Sequence, residues 1–187
     1  MIYHMTEFID TILVGIEYWV IISFFLGLIG IILLAYNPSK NHIDRIKNYN
    51  LKIKVAGIIL IIQLVISAFL VFRLSAFVVD NAGREVKEFL SQENLTIRIG
   101  NNKLDAYDSD KVILELRRMC HLPAHHSHPT DNEIKIQIVS GGKIMILKLY
   151  KDSKIPEEYW IFWDNYRTTM KSEVGRIRTT IFKSIEN

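Results

Sequence analysis

With a single cysteine, Cys120, the chain cannot form an intrachain disulfide. A free thiol suits a reducing cytosol and equally a bacterial periplasmic domain that folds without bridges. Before Tyr18 there is no lysine or arginine. The positive n-region of a cleaved signal peptide is therefore missing, and the first apolar run is expected to be retained. Catalytic signatures are lacking too: there is no Gly-x-Ser-x-Gly elbow, no phosphate-binding glycine loop and no His-Glu-x-x-His. Ser127, set among histidines, has no third orienting group that would make it a nucleophile. An enzyme is not the expected class. From Asp80 onward, 17 basic side chains stand against 16 acidic ones. That balance argues against a nucleic acid polymer as partner, because phosphate binding needs a positive surplus. Repeats and low-complexity tracts are absent as well.

What the chain does have is two apolar stretches ahead of a polar half. Residues 18–36 carry no charge, and at about 1.5 Å rise per residue they cover roughly 28 Å, close to a hydrocarbon core about 30 Å thick. Residues 55–72 are as apolar, with Gln63 the only strongly polar side chain. The expected architecture is a two-helix transmembrane hairpin, with aromatic Tyr18, Trp19 and Tyr36 at the interfaces. Asn37-Pro38-Ser39 ends the first span. The connection 37–54 holds Lys40, Arg45, Lys47, Lys52 and Lys54 against Asp44. The positive-inside rule then places this loop in the cytoplasm and both ends outside, although Arg73, Arg84 and Lys87 follow the second span. Arg73 reads as an interfacial anchor that snorkels. Gln63 is expected to hydrogen-bond across the helix pair, with Ser23 and Gly27 forming a small-residue face for close approach. The hairpin could also self-associate into a homo-oligomer. No series of ionisable groups lines either span, which argues against transport by this chain alone.

Residues 80–94 read as a stalk, with 79–90 a short stalk or a helix leaving the membrane, and 95–187 as a soluble α+β domain. Leu95-Thr96-Ile97-Arg98-Ile99 alternates as a strand, with residues 103–107 as its hairpin partner across Gly100-Asn101-Asn102. Asp108 or Ser109 is expected to cap a helix whose apolar stripe is Val112, Ile113, Leu116 and Met119, ending at Leu122-Pro123. Residues 133–139 alternate strictly, Ser140-Gly141-Gly142 makes a tight turn, and 143–150 return as the partner strand. Further strands are expected over 159–163 and 174–179, and a short closing helix over 179–185. The predicted sheet is small and mostly antiparallel, with one or two helices.

Three segments carry candidate chemistry. Cys120, His121, His125, His126 and His128 crowd one loop, and thiolate and imidazole are the usual ligands of zinc. Their spacing matches no established zinc pattern, however, and Pro123 and Pro129 exclude a helical pair. A polar loop, or a pH-sensing one, explains the same residues. Arg176 and Arg178, two apart on a strand, would present two guanidinium forks to an anionic ligand such as a nucleotide, or else form a solvated face. In 159–163, Trp160 and Trp163 fall on opposite faces; such a strand is usually covered twice, but either face could form a ligand groove or partner surface. Asp105, Asp108 and Asp110 lack the glycine and distal glutamate of a calcium loop. Asn94-Leu95-Thr96 matches a glycosylation acceptor only for a eukaryotic secretory protein.

These readings describe a small inner-membrane protein that tethers a periplasmic α+β domain, with the lipid bilayer and a protein or small anionic ligand as partners. The layout suits an immunity-like or accessory role by analogy of architecture. The alternative is a two-span effector whose cytosolic domain senses an anionic ligand and perturbs the membrane. The third reading is a metal sensor or metal-dependent enzyme built on the histidine loop. No cofactor is expected, save zinc under the third reading.

Overall fold

The computed structural model describes residues 2–36, 43–99, 102–103, 106–123 and 126–184. Two helices open the chain, α1 (Ile2–Ala35) and α2 (Ile43–Leu90). They are followed by β1 (Thr96–Ile99), β2 (Asn102–Lys103), α3 (Ala106–Arg117), β3 (Pro129–Ser140), β4 (Lys143–Asp152), β5 (Glu158–Trp163), β6 (Gly175–Arg178) and a 3-10 turn over Ile181–Ser184. The chain divides into two compact units, Met1–Ala76 and Phe77–Asn187.

In the first unit α1 and α2 pack side by side, and their contacts pair residues in opposite sequence sense. Ser23 meets Ser67 and Gln63, while Gly30 meets Gly57. A Cβ on either glycine would lie 2.7 Å from the other's carbonyl oxygen, so only glycine permits this crossing. The outer surfaces are apolar: Phe24, Phe25, Ile29, Ile32, Ile58, Phe69 and Phe72 are all exposed. Both helices are long and apolar enough to cross a membrane. α2 already begins at Ile43, so residues 43–54, expected as part of the connection, are its first turns. The remainder of that connection, 37–42, lies outside the described residues. α2 also runs on through Arg73, which is exposed, instead of ending at Phe72.

In the second unit all six strands form one antiparallel sheet in the order β2-β1-β3-β4-β5-β6. Alternation decides which way each strand faces. Ile97, Ile99, Ile134, Ile136, Ile138, Met145, Leu147, Leu149, Tyr159, Ile161 and Ile177 share the buried face. Helical residues complete this core: Val78, Ala82, Val86 and Leu90 from the end of α2, Val112, Ile113 and Leu116 from α3, and Phe182 edge-on to Tyr159. At roughly 1.5–3 kcal/mol per fully buried aliphatic side chain, this face is the main source of the unit's stability. Of the segment read as a stalk or helix, residues 80–90 are the last turns of α2, with buried side chains, and a turn follows at 91–94. Tyr166 donates to Glu85 Oε2 at 2.7 Å and Arg117 to the Leu90 carbonyl at 2.8 Å, which fixes α2 against both the 164–174 turn and α3.

Local details differ from the sequence expectation around β2 and α3, which ends at Arg117 ahead of Leu122-Pro123. The partner of β1 is only Asn102–Lys103, and Tyr107 belongs to α3, which starts at Ala106 ahead of the expected caps. Asp108 sits inside the first turn, where a carboxylate favours the helix dipole. Gly100, Asn101, Leu104, Asp105 and Ile185 lie outside the described residues. The Ser140-Gly141-Gly142 turn forms as expected: Gly141 and Gly142 have φ of 53° and 77°, and Ser140 pairs with Lys143.

Candidate functional site

The sheet has a second face that no described helix covers. Strand register arranges it in rows: Thr96, Val139 and Ile144; then Arg98, Gln137 and Ile146; then Lys135, Lys148 and Phe162; then Glu133, Tyr150, Trp160 and Arg176. Ile144 is 60 % exposed, and Val139, Ile146, Tyr150, Trp160 and Phe162 are half-buried. Tyr150 and Phe162 meet edge to face at 5.4 Å. Strand β5 is thus covered once, not twice: Tyr159, Ile161 and Trp163 enter the core while Trp160 and Phe162 stay on the open face.

Charges on this face are mostly paired. Lys148 reaches Asp164 at 2.5 Å, and this hydrogen bond raises its pKa. Tyr150 donates to Glu133 at 2.6 Å. Burial, then that hydrogen bond and the Glu133 charge, push its phenol up to about 12. Arg98 and Lys135 are exposed and have no ion pair among the described residues.

One end of the face holds a polar cluster that is almost fully satisfied. Asp152 is buried, which by itself would raise its pKa. Donation from Ser127 Oγ, Lys154 N (2.8 Å), Trp160 Nε1 (2.8 Å) and Ile155 N (2.8 Å) overcomes this and holds the carboxyl well below the usual range. Beside it Arg176, 5 % exposed, grips Glu173 through Nε (2.6 Å) and Nη2 (2.8 Å) and Glu158 through Nη1 (3.2 Å). The Glu173 hydrogen bond is the main cause of its raised pKa. Its guanidinium lies 3.5 Å from the Trp160 ring centre. Arg178 donates to the other oxygen of Glu158 at 2.9 Å and stays half exposed. Burying such charges costs several kcal/mol each, so the bidentate Glu173 contact and the doubly used Glu158 are what make the arrangement tenable.

The sequence-derived candidates therefore fall into separate places. Arg176, Arg178 and Trp160 converge, but Trp163 lies on the opposite, core face against Tyr166. The histidine loop is brought to the same sheet edge: the backbones of Cys120 and Arg176 exchange hydrogen bonds of 3.0 and 2.9 Å. Ser127 closes onto Asp152, and His128 Nδ1 is 3.5 Å from Ser153 Oγ. His121 turns instead toward Asp80, 3.7 Å away, and His126 is exposed. His125 lies outside the described residues. Among the described residues no three His, Cys, Asp or Glu side chains gather as a metal-ligand set.

In the hairpin, Gln63 Nε2 donates to Ser23 Oγ at 2.6 Å, and Ser23 is 3.4 Å from Ser67 Oγ. Gly27 faces the Leu64 side chain, whose Cδ2 would be 2.7 Å from an added Cβ. Ser67 and the Gly30–Gly57 crossing were not singled out in the sequence. Gly57 in α2 was the available signal for a small-residue contact with Gly30, and Ser67, four residues after Gln63, for a shared face.

The chain matches no protein-family model, no curated protein and no solved structure.

Proposed function

We propose that this chain is a membrane-anchored binding module whose open sheet face receives a protein partner. The observation that carries the reading is the one-sided sheet. Six strands bury one face, while Val139, Ile144, Ile146, Tyr150, Trp160 and Phe162 remain partly exposed on the other. Aromatic side chains in a partly apolar patch are favoured anchors at protein interfaces. Arg98 and Lys135 at its margin favour a partner with an acidic rim. The polar cluster around Asp152 and Glu158 stiffens one end of that surface, which lowers the ordering cost of binding.

Membrane anchoring is supported by the outward-facing phenylalanines and isoleucines of α1 and α2, surfaces that water would not tolerate bare. The basic residues of 37–54, four of them in the first turns of α2, favour a cytoplasmic connection and hence a periplasmic sheet domain. Tethering to the bilayer then raises the domain's effective concentration near a membrane-associated partner. The competing anion-sensor reading gains less support, because three guanidinium nitrogens of Arg176 are already held by Glu158 and Glu173.

The test is a photo-crosslinking residue placed at Ile144 in the full chain, with Leu114, exposed on α3, as the control position. A discrete adduct at Ile144 that disappears in Phe162→Asp, with none at Leu114, supports the reading. Equal labelling at both positions, or release of the chain from membranes by alkaline carbonate, overturns it.

A further inference from the structure

We infer that the open sheet face receives a single amphipathic α-helix of a partner protein, lying along β4 with carboxylates over Arg98 and Lys135, an inference that rests on the partner-surface reading above. The partly exposed apolar groups do not fill this face but form a stripe. It starts at Val139 and Ile144 beside the Gly141-Gly142 turn, continues through Ile146, and ends at Tyr150, Phe162 and Trp160. From Ile144 to Tyr150 along β4 the stripe measures about 20 Å at roughly 3.4 Å per residue. Across the strands it reaches from β3 to β5, which is about 10 Å. A helix with its side chains is about 10–12 Å across, and about 13 of its residues cover 20 Å. That is an ordinary helix length in globular proteins. Lys148 interrupts the stripe on β4, but its ammonium is drawn off to Asp164 at 2.5 Å and its methylene stem stays on the face.

The polar margin decides between a helix and a broader partner. Thr96 and Arg98 on β1, with Gln137, Lys135 and Glu133 on β3, flank the stripe on one side. A second sheet packed across the face would bury these groups, a cost that contact over so narrow a stripe does not offset. A helix leaves them at its rim. Arg98 and Lys135 are exposed, in no ion pair among the described residues, and stand in successive rows of the sheet. Successive rows are about 7 Å apart along the strands. Carboxylates at i and i+4 of a helix are about 6 Å apart along its axis and would meet the two cations in turn. Glu133, one row further, accepts from the Tyr150 hydroxyl at 2.6 Å, so the acid-accepting part of the margin is the half nearest β1.

The probes are peptides of about 14 residues with leucines at helical spacing. One carries glutamates along a flank, one carries lysines there, and one is the acidic peptide with a central proline. Each is titrated against the full chain in non-ionic detergent, with a photo-crosslinking residue at Ile144, and adducts are read by mass. The acidic helix should half-saturate at a concentration about tenfold below that of either other peptide. Arg98→Glu with Lys135→Glu should invert the preference toward the lysine peptide. Should that variant lose both peptides, Arg98→Gln with Lys135→Gln should bind the two equally. Equal labelling of the wild type by acidic and lysine peptides, or no labelling by any, overturns the inference. A preference that neither double variant alters overturns it too. So does a dimer of the chain that dissociates in Ile144→Asp, which would seat a second copy on the face. If the discrete Ile144 adduct proposed above still forms and is still lost in Phe162→Asp, the partner surface stands and only its helical occupant falls.

Discussion

Phe24, Phe25, Ile32 and Phe69 are exposed on the helical hairpin, whereas Ile97, Ile136, Leu147 and Ile161 are buried in the sheet unit. Polar side chains follow the reverse order in the hairpin, where Ser23 and Ser67 are buried and linked to Gln63. In the sheet unit buried polar groups include charged ones, Glu158, Arg176 and Asp152, alongside neutral ones such as Ser140 and Thr169. The hairpin coheres through small residues, a glycine crossing and one amide–hydroxyl chain. The sheet unit coheres through apolar burial, with its buried ionic contacts gathered around Arg176 and Glu158. The two regions cohere by different means, and each should fail in its own way.

The largest expected effect is in the sheet unit. Replacing Glu158 with Ala leaves Arg176 buried with half of its acidic partners and frees Arg178. Urea unfolding followed by tryptophan fluorescence should show a loss of about 3–5 kcal/mol. A change within the error of the method would mean that the edge network contributes only geometry.

The matching break in the hairpin is Gly30→Leu, which forces a side chain into the backbone of Gly57 at a cost of about 1–3 kcal/mol. In a Cys120→Ser background, Ser23→Cys with Ser67→Cys should form a disulfide readily, because the two hydroxyl oxygens are 3.4 Å apart. Adding Gly30→Leu should abolish that cross-link while leaving sheet-unit unfolding unchanged.

Asp152→Asn probes the polar end of the open face and should cost about 1–3 kcal/mol at neutral pH. Its acid dependence has a definite sign. Because the folded carboxyl titrates below the ordinary value of about 3.9, its contribution is complete above that value and is lost as pH falls toward the lower, folded one. Urea midpoints at pH 7 and pH 3 should therefore fall further for wild type than for Asp152→Asn. Equal falls would show that other carboxylates carry the acid response.

The smallest effect is expected at Gln63→Leu. A single hydrogen bond between two apolar helices of this kind is worth about 0.6 kcal/mol, and Gln63 Oε1 has no partner among the described residues. Cross-linking of the Ser23–Ser67 pair should persist in this variant; its loss would make the amide a principal clamp of the hairpin.

Much of this organisation was legible in the chain. Uninterrupted apolar length marked the two helices, strict alternation marked β3 and β4, and Gly141-Gly142 marked the turn between them. Gln63 was expected to hydrogen-bond across the helix pair, because polar groups are scarce in those helices, but its partner Ser23 was read only as part of a small-residue face. Less legible was the reach of α2, because propensity alone does not say where a helix stops when tertiary packing of Val86 and Leu90 prolongs it. The aromatic run at β5 read as doubly covered, since alternation names two faces without saying what lies over each. Arg176 and Arg178 were correctly placed on one face, but the acids that hold them come from Glu158 and Glu173, which spacing could not connect.

Local chemistry, then, was decided by the sequence itself: where apolar surface is continuous, where it alternates, and where glycine permits a turn. Those are properties of neighbouring residues and need no fold. Tertiary structure alone decided that Cys120 sits against Arg176, that Asp152 collects Ser127 and Trp160, and that Gly30 crosses Gly57. Each of these joins distant parts of the chain through the geometry of a sheet edge or a helix crossing, and local patterning contains no record of such closures.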